Sequence, residues 1–109
     1  MDYEVRFTPG AHKDLRTIFD YISENDSPEK ARYVIEQIVE AALALRKLPM
    51  RGANPPELVS LGIRAFRQVF FKPYRIFYTV RGTSVLIAII ADGRRDMQSL
   101  LTNRLLGNR

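Results

Sequence analysis

The chain has 109 residues, 46% of them hydrophobic, which suits one core in one domain over residues 1–109. It has no cysteine, which excludes a disulfide framework, a thiolate metal site and a cysteine nucleophile, and no apolar run approaches the roughly 18 residues that would span a bilayer, so a cytoplasmic protein without a membrane partner is expected. The formal net charge of +5 is unevenly held, with eight Lys or Arg against nine Asp or Glu in residues 1–55 and nine against three in residues 56–109, so the second half is expected to meet something acidic.

In chain order, Tyr3, Val5 and Phe7 alternate with Asp2, Glu4 and Arg6, the period of a half-buried strand. Thr8 then suits an N-cap and Pro9 the first helical position, where its missing N–H costs nothing. Ala11, Leu15, Ile18, Phe19 and Ile22 give that first helix one apolar face. Ser27, Pro28 and Glu29 repeat the start signal, and Ala31, Val34, Ile35, Ile38, Ala42, Leu45 and Leu48 form the stripe of a second helix that ends by Pro49 and Gly52. Two amphipathic helices joined by a short turn predict an antiparallel hairpin, because neither buries its stripe alone.

The stretch from Arg51 to Gly62 is rich in Gly, Pro and Asn and reads as the long loop, with room for a short helical turn over Pro56–Leu61. Three strands are expected after it: Ile63–Phe71, Tyr74–Arg81 and Ser84–Ala91, the last two joined at Arg81-Gly82-Thr83. Val85 to Ile90 is apolar at every position, so that strand is central. A C-terminal helical segment, Met97–Leu106, offers Leu100, Leu101, Leu105 and Leu106 as contacts. The result is an α+β chain of order strand, helix, helix, strand, strand, strand and short helix, with the helices segregated to one face of the sheet. A parallel first-to-last strand pair would make the helical hairpin a crossover.

Arginines recur in and around these strands, at Arg64, Arg67, Arg75, Arg94 and Arg95. Arginine in a sheet is costly unless it faces a partner or an anion, and its planar donor fork suits carboxylate and phosphate alike. Asp92 and Asp96 flank the Arg94–Arg95 pair and would orient it. His12, the sole histidine, has no carboxylate or second ligand in a recognisable pattern, so it is given no role, and no metal or cofactor is called for.

The chain resembles the RelE/ParE superfamily of bacterial type II toxin–antitoxin toxins, closer to the ParE-like branch. The matching pieces, in order, are Tyr3-Glu-Val-Arg-Phe-Thr-Pro9 with Ala11 and Asp14-Leu15, Ile18-Phe-Asp-Tyr-Ile22, Asp26-Ser-Pro-Glu29 with Ala31, Leu48-Pro-Met-Arg-Gly52, Gly62-Ile-Arg64, Pro73-Tyr-Arg-Ile-Phe-Tyr-Thr-Val80 and Ile90-Ala-Asp-Gly-Arg-Arg-Asp96. The resemblance implies a β-α-α-β-β-β fold with the helical hairpin packed on a mainly antiparallel four-stranded sheet. It also implies a toxin that arrests growth until a small, acidic, partly disordered cognate antitoxin forms a hetero-oligomer with it. That antitoxin is expected over the helical hairpin and onto the sheet face.

Two targets are implied by the two branches: DNA gyrase, which ParE-like members inhibit, and messenger RNA on the ribosome, which RelE-like members cut. For cleavage, the resemblance maps arginines of the nuclease branch onto Arg75 and Arg95, with Arg64 or Arg67 near its strand lysines. Arginine stabilises a phosphate but is a poor base, so a proton-transfer group must come from elsewhere. Glu57, Tyr74 and Tyr78 are the candidates, and the tyrosine that some of these nucleases carry in the C-terminal segment falls near Leu101 here. That departure places non-enzymatic gyrase inhibition ahead of ribosome-dependent cleavage. In the gyrase reading Arg64, Arg67, Arg75, Arg94 and Arg95 are binding contacts for target or antitoxin. A non-toxic nucleic-acid-binding module ranks behind both, because Phe66, Phe70 and Phe77 read as buried and supply no stacking platform.

Overall fold

The computed structural model describes residues 2–107. The alternating N-terminal segment forms strand β1 (Glu4–Phe7), and the chain turns into helix α1 (Pro9–Asn25) where Thr8 Oγ1 accepts a hydrogen bond from the Ala11 N–H at 3.1 Å. Ser27 Oγ accepts from the Lys30 N–H at 3.0 Å, and Pro28 opens α2 (Pro28–Leu43). Both starts follow the same logic: a hydroxyl satisfies an orphan N–H, and proline removes another. A 3₁₀ turn over Ala44–Arg46 closes α2 and buries Leu45. Its tighter winding ends the apolar stripe there, so Leu48, expected on that stripe, is exposed.

The long loop holds a one-turn helix, α3 (Pro56–Val59). It ends in a left-handed cap: Gly62 has φ +79°, its N–H donates to Val59 C=O, and the Ile63 N–H reaches back to Leu58 C=O. This cap takes Ile63 out of the strand expected to begin there, and β2 runs only over Phe66–Phe71. Strands β3 (Tyr74–Arg81) and β4 (Ser84–Asp92) follow, turning at Gly82 with φ +58°, and α4 (Met97–Leu105) ends the fold. Asp96 caps α4 by accepting from the Ser99 N–H at 3.2 Å.

The sheet order is β1-β4-β3-β2, with β1 parallel to β4 and the other pairs antiparallel. The helical hairpin is therefore the crossover between β1 and the rest, and β4 is internal as its sequence requires. Helices lie on both faces, however. Ile38, Ala42, Leu45, Ile76, Tyr78, Ile87 and Ile90 form a core with α1 and α2, while Phe77, Ile89 and Ala91 pack with Leu58, Met97 and Leu101 of α3 and α4. The short helices cover what the hairpin cannot reach, since β3 and β4 are apolar on both sides.

One irregularity makes this division work. Phe77 pairs with Ile89 but Tyr78 pairs with Ile87, so Ala88 is the extra residue of a bulge. Side chains two apart share a face in a regular strand. Across the bulge the phase slips, and Ile87 and Ile90 both face the hairpin while Ile89 and Ala91 face α4.

Tyr78 ties this core to the loop after α2. Its hydroxyl donates to Pro49 C=O at 2.7 Å and accepts from the Gly52 N–H at 3.0 Å, and Gly52 has no room for a side chain, because a Cβ would stand 2.5 Å from Gln68 C=O. Replacing Tyr78 by Phe keeps the ring but strands two backbone groups. The expected loss is about 1–3 kcal/mol of unfolding free energy, read by urea denaturation, and a loss below a few tenths would show that the loop is held by other contacts.

Candidate functional site

The most constrained charged group is Arg75, on the β3 face that meets α3 and α4. Its Nη1 and Nη2 donate to Glu57 Oε2 and Oε1, each at 2.8 Å, and its Nε donates to Gln68 Oε1 at 2.8 Å. The guanidinium carbon sits 4.9 Å above the Phe77 ring. A Cβ at Gly93 would come within 2.9 Å of the Arg75 Cδ, so glycine is what lets the turn after β4 close over the arginine stem. The Arg75 side chain is 13% exposed and that of Glu57 25%. The hydrogen bond from Arg75 outweighs burial and holds the Glu57 carboxyl below its ordinary range.

The other arginines lie apart from this pair. Arg67 projects to the hairpin side and donates to Met50 C=O at 3.1 Å and Gly52 C=O at 2.7 Å, pinning the same loop as Tyr78. Arg64 is exposed just before β2, its carbonyl held by Asn54 Nδ2 at 3.1 Å. Arg94 and Arg95 occupy the turn between β4 and α4. Asp92 accepts from Arg94 Nε at 2.9 Å and Nη2 at 2.6 Å, which lowers the Asp92 pKa. Asp96 spends its carboxylate on the α4 cap and on Ser99 Oγ, which lowers its pKa as well, so it does not orient the arginines. Arg95 is exposed and makes no salt bridge among the described residues, although its charge helps to lower the Asp92 pKa. The structure thus brings Arg94 and Arg95 together and leaves Arg64, Arg67 and Arg75 separate.

A groove of about 590 Å³ opens beside Arg94 and Arg95, between α1 and α4, with Ile18, Tyr21 and Tyr74 as its apolar wall. Two further charges line it that the sequence did not mark as functional, Asp14 and Arg104, bonded to one another at 2.9 Å. They stand 90 residues apart in the chain, and no local pattern in the sequence joins them.

Of the proton-transfer candidates, Glu57 and Tyr78 are engaged within the fold, while Tyr74 lines the groove with Arg94 and Arg95. Glu57 is held ionised by Arg75, Tyr78 is fully buried with its hydroxyl engaged, and burial raises the pKa of both Tyr78 and Tyr74. Leu101 is buried in the α4 core, so that position does not open to solvent. His12 is exposed against Phe7, ring centroids 5.8 Å apart. Of the aromatics expected to be buried, Phe77 is, Phe66 is half-buried, and Phe70 is 51% exposed. Among the described residues no group of three His, Cys, Asp or Glu could hold a metal, and no helix is long and apolar enough to cross a membrane.

Residues 5–97 match the model of a family described as the ParE toxin of the type II toxin–antitoxin system parDE. Among solved structures, a chain of the chromosomal ParDE toxin–antitoxin system from P. aeruginosa is similar at 25% identity and TM-score 0.70, covering 83% of this chain and 95% of that one. A chain of the toxin–antitoxin complex RelBE2 from Mycobacterium tuberculosis shares the fold at 23% identity and TM-score 0.61, covering 84% and 99%. No curated protein sequence gives a significant match.

The Arg75–Glu57 pair sets a pH dependence. Because the native carboxyl is held below its unfolded value near about 4.3, its stabilisation is complete above that value and disappears as pH falls through the lower native one. Glu57→Gln is therefore expected to cost about 1–3 kcal/mol at neutral pH, with the gap to the unaltered protein closing in acid. Urea unfolding of both proteins near pH 7 and near pH 3 checks it; an equal gap at both would mean that the pair carries no net charge stabilisation.

Proposed function

Because the chain belongs to the family of ParE toxins, toxins of type II toxin–antitoxin systems that an antitoxin neutralises, we propose that its target is DNA gyrase and that it acts by binding rather than by catalysis. The observation that carries this reading is the state of Arg75. An arginine that must stabilise the phosphorane of RNA cleavage has to present free donors to the substrate. Here three of its N–H groups are engaged by Glu57 and Gln68, and the carboxylate that would be the nearest base is the one neutralising it. A carboxyl with a lowered pKa is a weak general base. With Tyr78 buried and a leucine at position 101, the exposed arginines can hold negative charge, and the Tyr74 hydroxyl in their groove has its pKa raised by burial.

In this reading the exposed guanidinium groups of Arg64, Arg94 and Arg95 contact the target, while Arg67 and Arg75 hold the loops that frame them. The cognate antitoxin forms a hetero-oligomer with the toxin and competes for the same positive surface, which makes its affinity sensitive to salt.

Purified protein is expected to inhibit gyrase supercoiling in vitro, and cells expressing it should keep intact transcripts by primer extension. Codon-positioned cuts with normal supercoiling would overturn the proposal in favour of messenger RNA cleavage. The pair of changes Arg94→Ala and Arg95→Ala should weaken inhibition by roughly tenfold or more, about 1.4 kcal/mol. Undiminished inhibition by that variant would remove the turn after β4 from the target surface.

A further inference from the structure

The tip of the helical hairpin meets the turn between β2 and β3, and a second cavity of about 430 Å³ opens there, a size within the range of small-molecule sites. Tyr21 of α1, Tyr33 of α2 and Phe71 of β2 all line it. Tyr21 is 66% exposed and Tyr33 52%, more than any other Tyr or Phe among the described residues. Rings left in water beside one cavity are surface that a ligand can bury. Tyr33 is also held in place, because it packs edge-to-face with Phe71 at 6.3 Å between centroids and 71° between planes. That geometry leaves at least one face of the Tyr33 ring free of Phe71. Val34, buried in the hairpin core, lines the cavity too and gives it an apolar inner wall.

The charged groups at this cavity are of unequal sign. Lys30 and Lys72 line it, both exposed, and neither makes a salt bridge among the described residues. Arg94 lines it as well, with Asp92 as its partner, and Asp26 is the one carboxylate present. An aromatic cage for an organic cation works by the attraction of ring faces for positive charge, and two free ammonium groups against one carboxylate oppose that occupant. A small aliphatic acid would satisfy the lysines and leave the rings in water. A planar base that carries a phosphate uses both. Any nucleobase has a face to stack on an aromatic side chain, worth about 1–3 kcal/mol per base, and lysine binds phosphate as a point charge.

We propose that this cavity is a binding site for a nucleoside 5′-phosphate, whose base stacks on Tyr33 beside Tyr21 and whose phosphate meets Lys30 and Lys72, while Asp26 accepts hydrogen bonds from the ribose hydroxyls. Each part of the ligand then answers a feature that the fold leaves unused. Arg64, Arg75 and Arg95 do not line the cavity, so the site stands apart from the target reading above. A free nucleotide and the 5′-phosphorylated end of a strand present the same chemistry, and the two are separated by experiment.

The test titrates the isotope-labelled full chain with AMP, with adenosine, inorganic phosphate and choline as controls, and follows the amide resonances residue by residue. AMP is expected to bind about tenfold or more tighter than each control, with the largest shifts at Tyr21, Tyr33 and Lys72. Lys72→Glu, a change at an exposed position, should weaken AMP by about tenfold and leave adenosine unaltered. Tyr33→Leu, which keeps an apolar contact for Phe71, should weaken both by about fivefold or more. A tetra-adenylate that outbinds AMP only when it carries a 5′-phosphate identifies a strand end as the source, and the reverse order identifies the free nucleotide; both uphold the site. The proposal is overturned by absent binding at millimolar AMP, by phosphate or choline binding as tightly as AMP, by shifts confined to the groove between α1 and α4, or by a tetra-adenylate without 5′-phosphate that outbinds AMP. A failed gyrase assay leaves this result standing, and a failed titration leaves the gyrase reading standing.

Discussion

A strand that is apolar at every position from Val85 to Ala91 can serve two cores only if it divides its side chains between them. Strict alternation would put Val85, Ile87, Ile89 and Ala91 on one side. The bulge at Ala88 breaks the alternation once, so the hairpin core receives Ile87 and Ile90 while the α3 and α4 core receives Ile89 and Ala91. The same slip moves the backbone groups. Before it the Ile87 C=O faces β1, and after it the Ala88 C=O and the Ile90 N–H do, where Arg104 and Asp14 meet them. Packing, the sheet edge and the groove therefore depend on one residue of register.

Electrostatics follows from how each cation is used locally. The excess of positive charge in the second half of the sequence suggests a single basic patch, but most of those arginines are engaged within the fold. Arg75 answers Glu57, Arg94 answers Asp92, Arg104 answers Asp14, and Arg67 is bound to loop carbonyls. The buried end of this series is the strongest, since a bidentate carboxylate–guanidinium pair with little solvent contact cannot be broken without leaving a charge unpaired. Exposed cations remain at several edges of the fold, among them Lys13, Arg64, Lys72, Arg81 and Arg95, and Arg94 stays exposed beside its aspartate. Such a surface can attract and orient an acidic partner.

Elements were legible where the signal is local. Thr8-Pro9 and Ser27-Pro28 are cap and first-turn chemistry, and both helices begin there. The strand at Ser84 was legible from its unbroken apolar run, and its central place followed. The start of β2 was not, because Ile63 is drawn back by the left-handed turn at Gly62, which a reading of apolar residues alone does not reveal. The site was legible as a list of residue types and not as an arrangement. Glu57 and Arg75 are 18 residues apart through a loop, and Asp14 and Arg104 are joined only by the crossover and the final helix. Asp96 differs within its own turn: standing next to the arginines it suggests a role in orienting them, and its carboxylate caps α4 instead.

The groove itself traces to a dipeptide. The β1 N–H groups that face β4 are those of alternate residues ending at Thr8, and proline at position 9 opens a helix there rather than prolonging the strand. Thr8 makes its last pairing with Ile87 and turns its hydroxyl to the Ala11 N–H, so β1 ends where α1 begins. A longer β1 would have covered Ile90 and Asp92, and the Asp14–Arg104 bridge would have had no role. Gly10 leaves the space for that bridge, since a Cβ there would stand 2.8 Å from Arg104 Nη2. Early termination thus frees a stretch of β4 backbone, and α1 supplies an acid and α4 a base that answer its Ile90 N–H and Ala88 C=O.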